Sequence, residues 1–246
     1  MKITVITATR NNAKTISHTV DSVMRQTHDD IDYIIIDGAS TDGSMEVIAD
    51  KQRQYPGRIR VISEPDNGVY QAINKGIRIA RGEIIGTLHG NDRFTSPDIL
   101  HHVNREMADK ATEMIYGDVH YISPRSNRVT RHYSSADFTP ELLKMGIAPP
   151  HPSLYLRKGI FSRYGLYKED YLIGADFDMF LRLMIVNGIK GKHLPLDMVT
   201  MTTGGLSTRL FHRIFTNNRE KYRALKENSV PVSGFSLLKR YLYTPK

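Results

Sequence analysis

The chain has 246 residues, 40% hydrophobic and 24% charged, with a net charge of +8 and no cysteine. That length holds one large domain, or one domain and a small appendage, with a core that needs no covalent staple. Without thiols, a disulfide scaffold, a thiolate zinc site and a cysteine nucleophile are excluded. The apolar opening Met1–Ala8 is too short for a signal segment, and no stretch approaches the ~20 apolar residues of a membrane span. The sequence therefore reads as an intracellular, non-spanning chain.

Taken in order, Ile3–Ala8 is a β-branched run that predicts a buried strand. Thr15–Gln26 carries Ile16, Val20, Val23 and Met24 at helical spacing. Tyr33–Asp37 predicts a second buried strand, Ser44–Tyr55 a helix and Arg60–Ser63 a third strand. Tyr70–Ala80 predicts a helix and Glu83–Leu88 a fourth strand. Alternation of this kind, with continuously apolar strands, argues for a parallel sheet covered on both faces. Beyond it, Ser96–Lys110 reads as a helix, and Met114–Ile122 with Val129–Tyr133 as a strand pair around a polar turn. Ser153–Leu156 reads as a short strand and Asp176–Val186 as a helix ended by Asn187-Gly188.

In an open α/β sheet, ligands sit outside the carboxyl ends of the strands. Those ends carry Thr7-Ala8-Thr9, Asp37-Gly38-Ala39-Ser40, Glu64-Pro65-Asp66-Asn67-Gly68 and His89-Gly90-Asn91-Asp92. Neither the Gly-x-Gly-x-x-Gly fingerprint nor the Walker pattern is present, so a nicotinamide dehydrogenase is disfavoured. Acidic loops at strand ends suit a nucleoside diphosphate with a divalent ion, which takes one or two carboxylates plus phosphate oxygens. Asp92 is the metal candidate; the alternative is that Asn91-Asp92 only makes a turn. Asp37 can equally be a strand-ending residue, and Asp42-Gly43 reads as a turn.

Five segments, in order over about 185 residues, resemble family 2 glycosyltransferases. They are Ile3–Asn11, Ile34–Gly43, Glu64–Gly76, Ala80–Asp92 and Ile173–Leu183. The resemblance is nearest to bacterial surface-polysaccharide enzymes of the colanic-acid type. It implies an α/β fold of the GT-A type: a Rossmann-like, mostly parallel sheet flanked by helices, spanning 1–208. Residues 1–93 would be its nucleotide-binding half and 94–208 its acceptor and catalytic half. It also implies an inverting transfer from a nucleoside-diphosphate sugar, a UDP-sugar foremost, to a saccharide or lipid-linked saccharide. Thr7, Thr9 and Asp37 would line the nucleoside pocket, with Asp66 on the base or ribose side. Asn74, Asn91 and His151 would complete donor binding, Asp92 would hold Mn²⁺ or Mg²⁺, and Asp176 would be the general base.

Three positions depart from the family pattern. Asn91 stands where a first Asp is usual, Gly38 follows Asp37 where a second Asp is frequent, and Ala175 replaces a Glu before Asp176. Asp178 is the rival base, two positions on and so on another helix face. Asp176 can also be read as a helix N-cap, and His151 as a surface-loop histidine. His89 is either a cleft residue or a strand-end side chain. Gly204-Gly205-Leu206-Ser207 is either a lid or an ordinary turn. A non-catalytic nucleotide-sugar or glycan-binding protein on the same fold is the alternative function.

Residues 209–246 hold nine Lys/Arg against two Glu, so +7 of the net +8 lies in this stretch, which reads as a basic helical extension. Three roles fit it: a peripheral contact with an anionic inner leaflet, a nucleic-acid contact, or a solvated helix packed on the core. Nucleic acid is not expected as a partner, because the rest of the chain is nearly neutral and no binding motif stands out.

Overall fold

The computed structural model describes residues 1–202, 210–232 and Leu237. The β-branched run at the N-terminus forms β1 (Ile3–Thr9), buried at every position. After α1 (Ile16–Met24) comes β2 (Ile31–Asp37), then α2 (Ser44–Gln54), β3 (Ile59–Ser63), α3 (Val69–Ile79) and β4 (Ile84–Thr87). These strands pair in parallel in the order β3-β2-β1-β4. Alternate residues feed two cores: Ile3, Val5, Tyr33 and Ile35 on one face, Ile6, Ala8, Ile34 and Ile36 on the other. Helix α3 lies close against β1 because Gly76 lacks a side chain. A Cβ there would stand 2.5 Å from Ile6 Cγ2. The register sets Thr9 beside Asp37, and Asp37 beside Ser63, so the polar strand ends are level.

The second half continues with β5 (Asp92–Phe94), α4 (Ile99–Glu106), β6 (Met114–Ile122) and β7 (Val129–Tyr133). Next come α5 (Pro140–Leu143), a 3-10 turn (His151–Ser153), β8 (Tyr155–Arg157) and α6 (Gly159–Tyr164). Helix α7 (Ala175–Phe180) runs on as a π-helical turn (Leu181–Val186), followed by β9 (Gly191–Thr202) and α8 (Leu210–Glu227). The sheet extends past β4 as β8-β6-β9-β5, with β7 paired to β6. Here it is mixed: β8 runs antiparallel to both β4 and β6, and β5 antiparallel to β9. The parallel arrangement expected from the sequence thus holds through β4 and along β6 and β9. The strand expected at Ser153–Leu156 begins at Tyr155, because His151–Ser153 turns first.

Helix α8 packs into the same core as α7. Ala224 and Leu225 are fully buried beside the cluster that holds Phe177 and Phe180, and Val230 and Leu237 join them. These described residues of the basic stretch continue the domain core. Residues 203–209, including the Gly204–Ser207 segment, lie outside the described residues, as do Phe235, Leu238, Tyr241 and Leu242. Among the described residues no helix is long and apolar enough to cross a membrane.

Candidate active site

At the ends of β1 and β2 two loops are laced together. Asn11 N–H donates to Ser40 Oγ, Asn12 N–H to Ser44 Oγ and Ala13 N–H to Asp42 Oδ2. Asp37 is fully buried and hydrogen-bonded: it accepts from Ser40 N–H at 3.0 Å, from Ser40 Oγ at 2.5 Å and from Ser63 Oγ at 2.7 Å. Thr9 accepts from Asn12 Nδ2. A Cβ on Gly90 would stand 2.4 Å from Thr9 Oγ1, so that glycine is what lets the β4 loop close on β1. Asp66 is nearly buried, ion-paired to Lys75, and lies beside Gly38. Asp37, Thr9 and Asp66 thus gather at one strand-end groove.

Two residues that the resemblance assigns to the donor make contacts within the protein. Thr7 is fully buried and its hydroxyl pairs with Tyr33 at 3.0 Å, inside the core. Asn74 faces the 167–169 segment. Its Nδ2 donates to Tyr167 O and Glu169 Oε1, and its Oδ1 accepts from Tyr167 N–H. Asn74 thus clamps α3 to the loop before α7. Asn91 Oδ1 accepts from Thr15 Oγ1 at 2.6 Å, which ties the β4–β5 turn to the start of α1.

A cleft of about 750 Å³ opens beside this groove, bounded by the 146–152 segment, β7, α7 and α8. Tyr70, His89, His151, Asp176 and Lys221 all line it. Asp176 stands at the first turn of α7 and accepts from Phe177 N–H at 2.7 Å and from Tyr70 OH at 3.3 Å. Burial pushes its carboxyl above the usual range, partly offset by Phe177 N–H, the Lys221 charge and Tyr70. His151 is buried, bonded through Nε2 to Tyr167 OH at 3.0 Å, and held by burial at about 4. His89, 5.9 Å from it between ring centroids, is also held at about 4, first by burial and then by His151. Both imidazoles are therefore neutral at pH 7.

Asp178 is fully buried on the other side of α7, between Lys168, Arg182 and Asn228. Its place in the structure is a packed charge network, away from the cleft-lining residues. Tyr70, Tyr167, Lys221 and Glu220 were not singled out from the sequence. The only available signal for Tyr70 was its position at the start of the Gly68-Val69-Tyr70 helix, and Lys221 was one of many basic residues.

Asp92 is buried just past His89, and burial raises it to about 7. Its register partner is Met201, which lines the cleft. Among the described residues its carboxylate has neither a hydrogen-bond donor nor a cation, and no group of three or more His, Asp or Glu could hold a metal alone. A buried carboxylate lacking a counter-charge fits a cation that takes its remaining ligands from phosphate oxygens.

These features define a Rossmann-like α/β protein with a carboxylate-bearing cleft at the ends of its parallel strands. The signature of glycosyl transferase family 2 matches residues 4–169, and the chain belongs to that family. A PGL/p-HBAD biosynthesis glycosyltransferase of Mycobacterium tuberculosis is 27% identical over 213 residues, covering 86% of this chain and 81% of that protein. A chondroitin synthase of Pasteurella multocida is 30% identical over 185 residues, 75% of this chain but 19% of the synthase. Among solved structures, S. aureus TarS 1-349 in complex with UDP-GlcNAc has a TM-score of 0.74 at 14% identity, covering 98% of this chain and 72% of that one. The mannosyltransferase PcManGT from Pyrobaculum calidifontis, in complex with GDP-Man and Mn²⁺, has a TM-score of 0.69 at 18% identity, over 98% of this chain and 69% of that one. These likenesses carry the GT-A fold.

Proposed function

We propose that the chain is an inverting glycosyltransferase. It moves a sugar from a nucleoside-diphosphate sugar, a UDP-sugar foremost, to a saccharide or lipid-linked saccharide in surface-polysaccharide synthesis. The observation that carries this reading is Asp176: a deep-set carboxylate that lines the cleft and whose proton affinity is raised by burial. A base works best when its pKa lies near the working pH, so the upward shift suits proton removal from a sugar hydroxyl.

In the proposed reaction the acceptor oxygen attacks the anomeric carbon from the face opposite the diphosphate. The new carbon–oxygen bond forms as the bond to the diphosphate breaks, with its electron pair leaving on the diphosphate. The acceptor proton passes to Asp176. Thr9, Asp37 and Asp66 would bound the nucleoside groove. Asp92 would hold Mn²⁺ or Mg²⁺, whose charge would neutralise the departing diphosphate. Neutral His89 and His151 would line the sugar site without adding charge. TarS with UDP-GlcNAc and PcManGT with GDP-Man and Mn²⁺ support a nucleotide-sugar donor and a divalent ion.

The test is nucleoside-diphosphate release with a donor and acceptor panel. Asp176→Asn should cut turnover by roughly 10²–10⁴-fold and leave donor affinity nearly unchanged. Asp178→Asn should instead lower the melting temperature, since it weakens a buried ion-pair network. Turnover lost in a well-folded Asp178→Asn, with Asp176→Asn active, would overturn the base assignment. Donor binding without turnover by the parent protein across the panel would favour the non-catalytic binding protein.

A further inference from the structure

Tyr70 stands in the first turn of α3, 106 residues before Asp176, yet its hydroxyl reaches Asp176 Oδ1 at 3.3 Å. The same oxygen of Asp176 accepts from Phe177 N–H at 2.7 Å. Among the described residues no donor reaches Oδ2, so the carboxylate has one tethered oxygen and one oxygen available to the cleft. Tyr70 is itself held firmly: it is buried and stacked on Tyr167, with ring centroids 5.9 Å apart and planes 20° apart. Tyr167 is in turn bonded to His151 Nε2 and clamped through its backbone by Asn74. A chain of rigid contacts therefore runs from α3 and the 3-10 turn to one oxygen of one carboxylate.

We infer that Tyr70 is a positioning residue for Asp176: its hydroxyl orients the carboxylate and favours the ionised form that accepts the acceptor proton. This rests on Asp176 being the base. Apo hydrogen bonds at catalytic carboxylates are often long and tighten when substrate is bound, and a donor to the charged form stabilises it. Other groups face Asp176 too. Lys221 from α8 adds a favourable charge, His89 from the β4 loop is neutral, and Tyr167 from the loop before α7 lies behind Tyr70. Of these, Tyr70 is the side chain that hydrogen-bonds the carboxylate itself.

The experiment compares the pH dependence of kcat/KM for the parent, Tyr70→Phe and Asp176→Asn. Phenylalanine keeps the ring and its stack on Tyr167 and removes only the hydroxyl. Tyr70→Phe should reduce kcat about tenfold, leave the donor KM within about twofold, and move the acid limb up by about one pH unit. One unit is what the loss of a charge-assisted hydrogen bond of ordinary strength produces. An unmoved acid limb in Tyr70→Phe, whether or not rate is lost, overturns the inference, because a merely structural tyrosine would not change the base's titration. Asp176→Asn separates the two readings: full activity there would sink the base assignment, whereas an inactive Asp176→Asn with an unshifted Tyr70→Phe would sink this inference alone.

Discussion

Asp37 closes β2 and Asp92 opens β5, and both are buried, yet their chemistry differs. Asp37 is satisfied by three donors from Ser40 and Ser63, as a buried carboxylate must be if it stays charged. Asp92 has no donor among the described residues, and burial alone raises it. Removing its charge should therefore not cost folding stability. Asp92→Asn is expected to melt at or above the parent temperature while its Mn²⁺-dependent UDP affinity falls at least about tenfold. Calorimetric titration of UDP with and without Mn²⁺ reads both states, and equal Mn²⁺ dependence in parent and variant would remove Asp92 from the metal site. At this scale, residue identity was legible where strand ends put carboxylates together. It was not legible for Asn74, since a donor-binding amide and a loop clamp look alike until the partner at Tyr167, 93 residues on, is seen.

At the scale of elements, β1 and β2 were legible because both faces are covered and the runs are continuously apolar. Two strands were not. β5 is three residues long, Asp-Arg-Phe, and β9 contains Pro195, which argues against a strand by removing a donor. The docking of α8 was also hidden, because it depends on ion pairs between distant segments. Glu220 accepts from the N–H groups of Leu172 and Ile173 at 2.7 and 2.9 Å, just before α7. Glu227 joins Lys168, Tyr171 and Arg223 and is held at about 2, below the ordinary glutamate value of 4.5, by Lys168, Arg223 and Tyr171 against the opposing effect of burial. A carboxyl depressed on folding stabilises above its unfolded value, and that contribution is lost as pH falls towards the folded one. Hydrogen exchange should show α8 amides losing protection between about pH 4.5 and 2, ahead of β1 and β2. The Glu227 side chain is a third exposed, so the loss is gradual. Glu227→Gln should flatten the difference, and α8 and β2 losing protection in step would disconnect Glu227 from docking.

For the whole molecule, the competing claims on the basic stretch come down to which surfaces are already taken. The apolar residues that would enter a membrane include Leu237, which is buried in the core, as are Ala224 and Leu225 of α8. Its cations are partly engaged as well: Arg223 binds Asp170 and Glu227, and Lys221 donates to Gly146 O while standing over the Phe177 ring. Phe215 of α8 is exposed, so attachment of the described part to an anionic bilayer would join that ring to the charges of exposed Arg219 and Lys226, and its electrostatic share would be weakened by salt. Deleting residues 209–246 would be a poor test of that contact, because it uncovers the core and removes Lys221 from the cleft. The shortened chain is expected to lose cooperative melting, as removal of several buried apolar side chains at 2–5 kcal/mol each exceeds the usual stability of about 5–15 kcal/mol. The double variant Arg219→Glu, Lys226→Glu separates the two roles. Surface substitutions of this kind change stability by about 0.5 kcal/mol, so melting should move by no more than a few degrees. Any salt-sensitive sedimentation with anionic vesicles should fall with it, and a cooperative, donor-binding 1–208 fragment would return α8 to the status of an appendage.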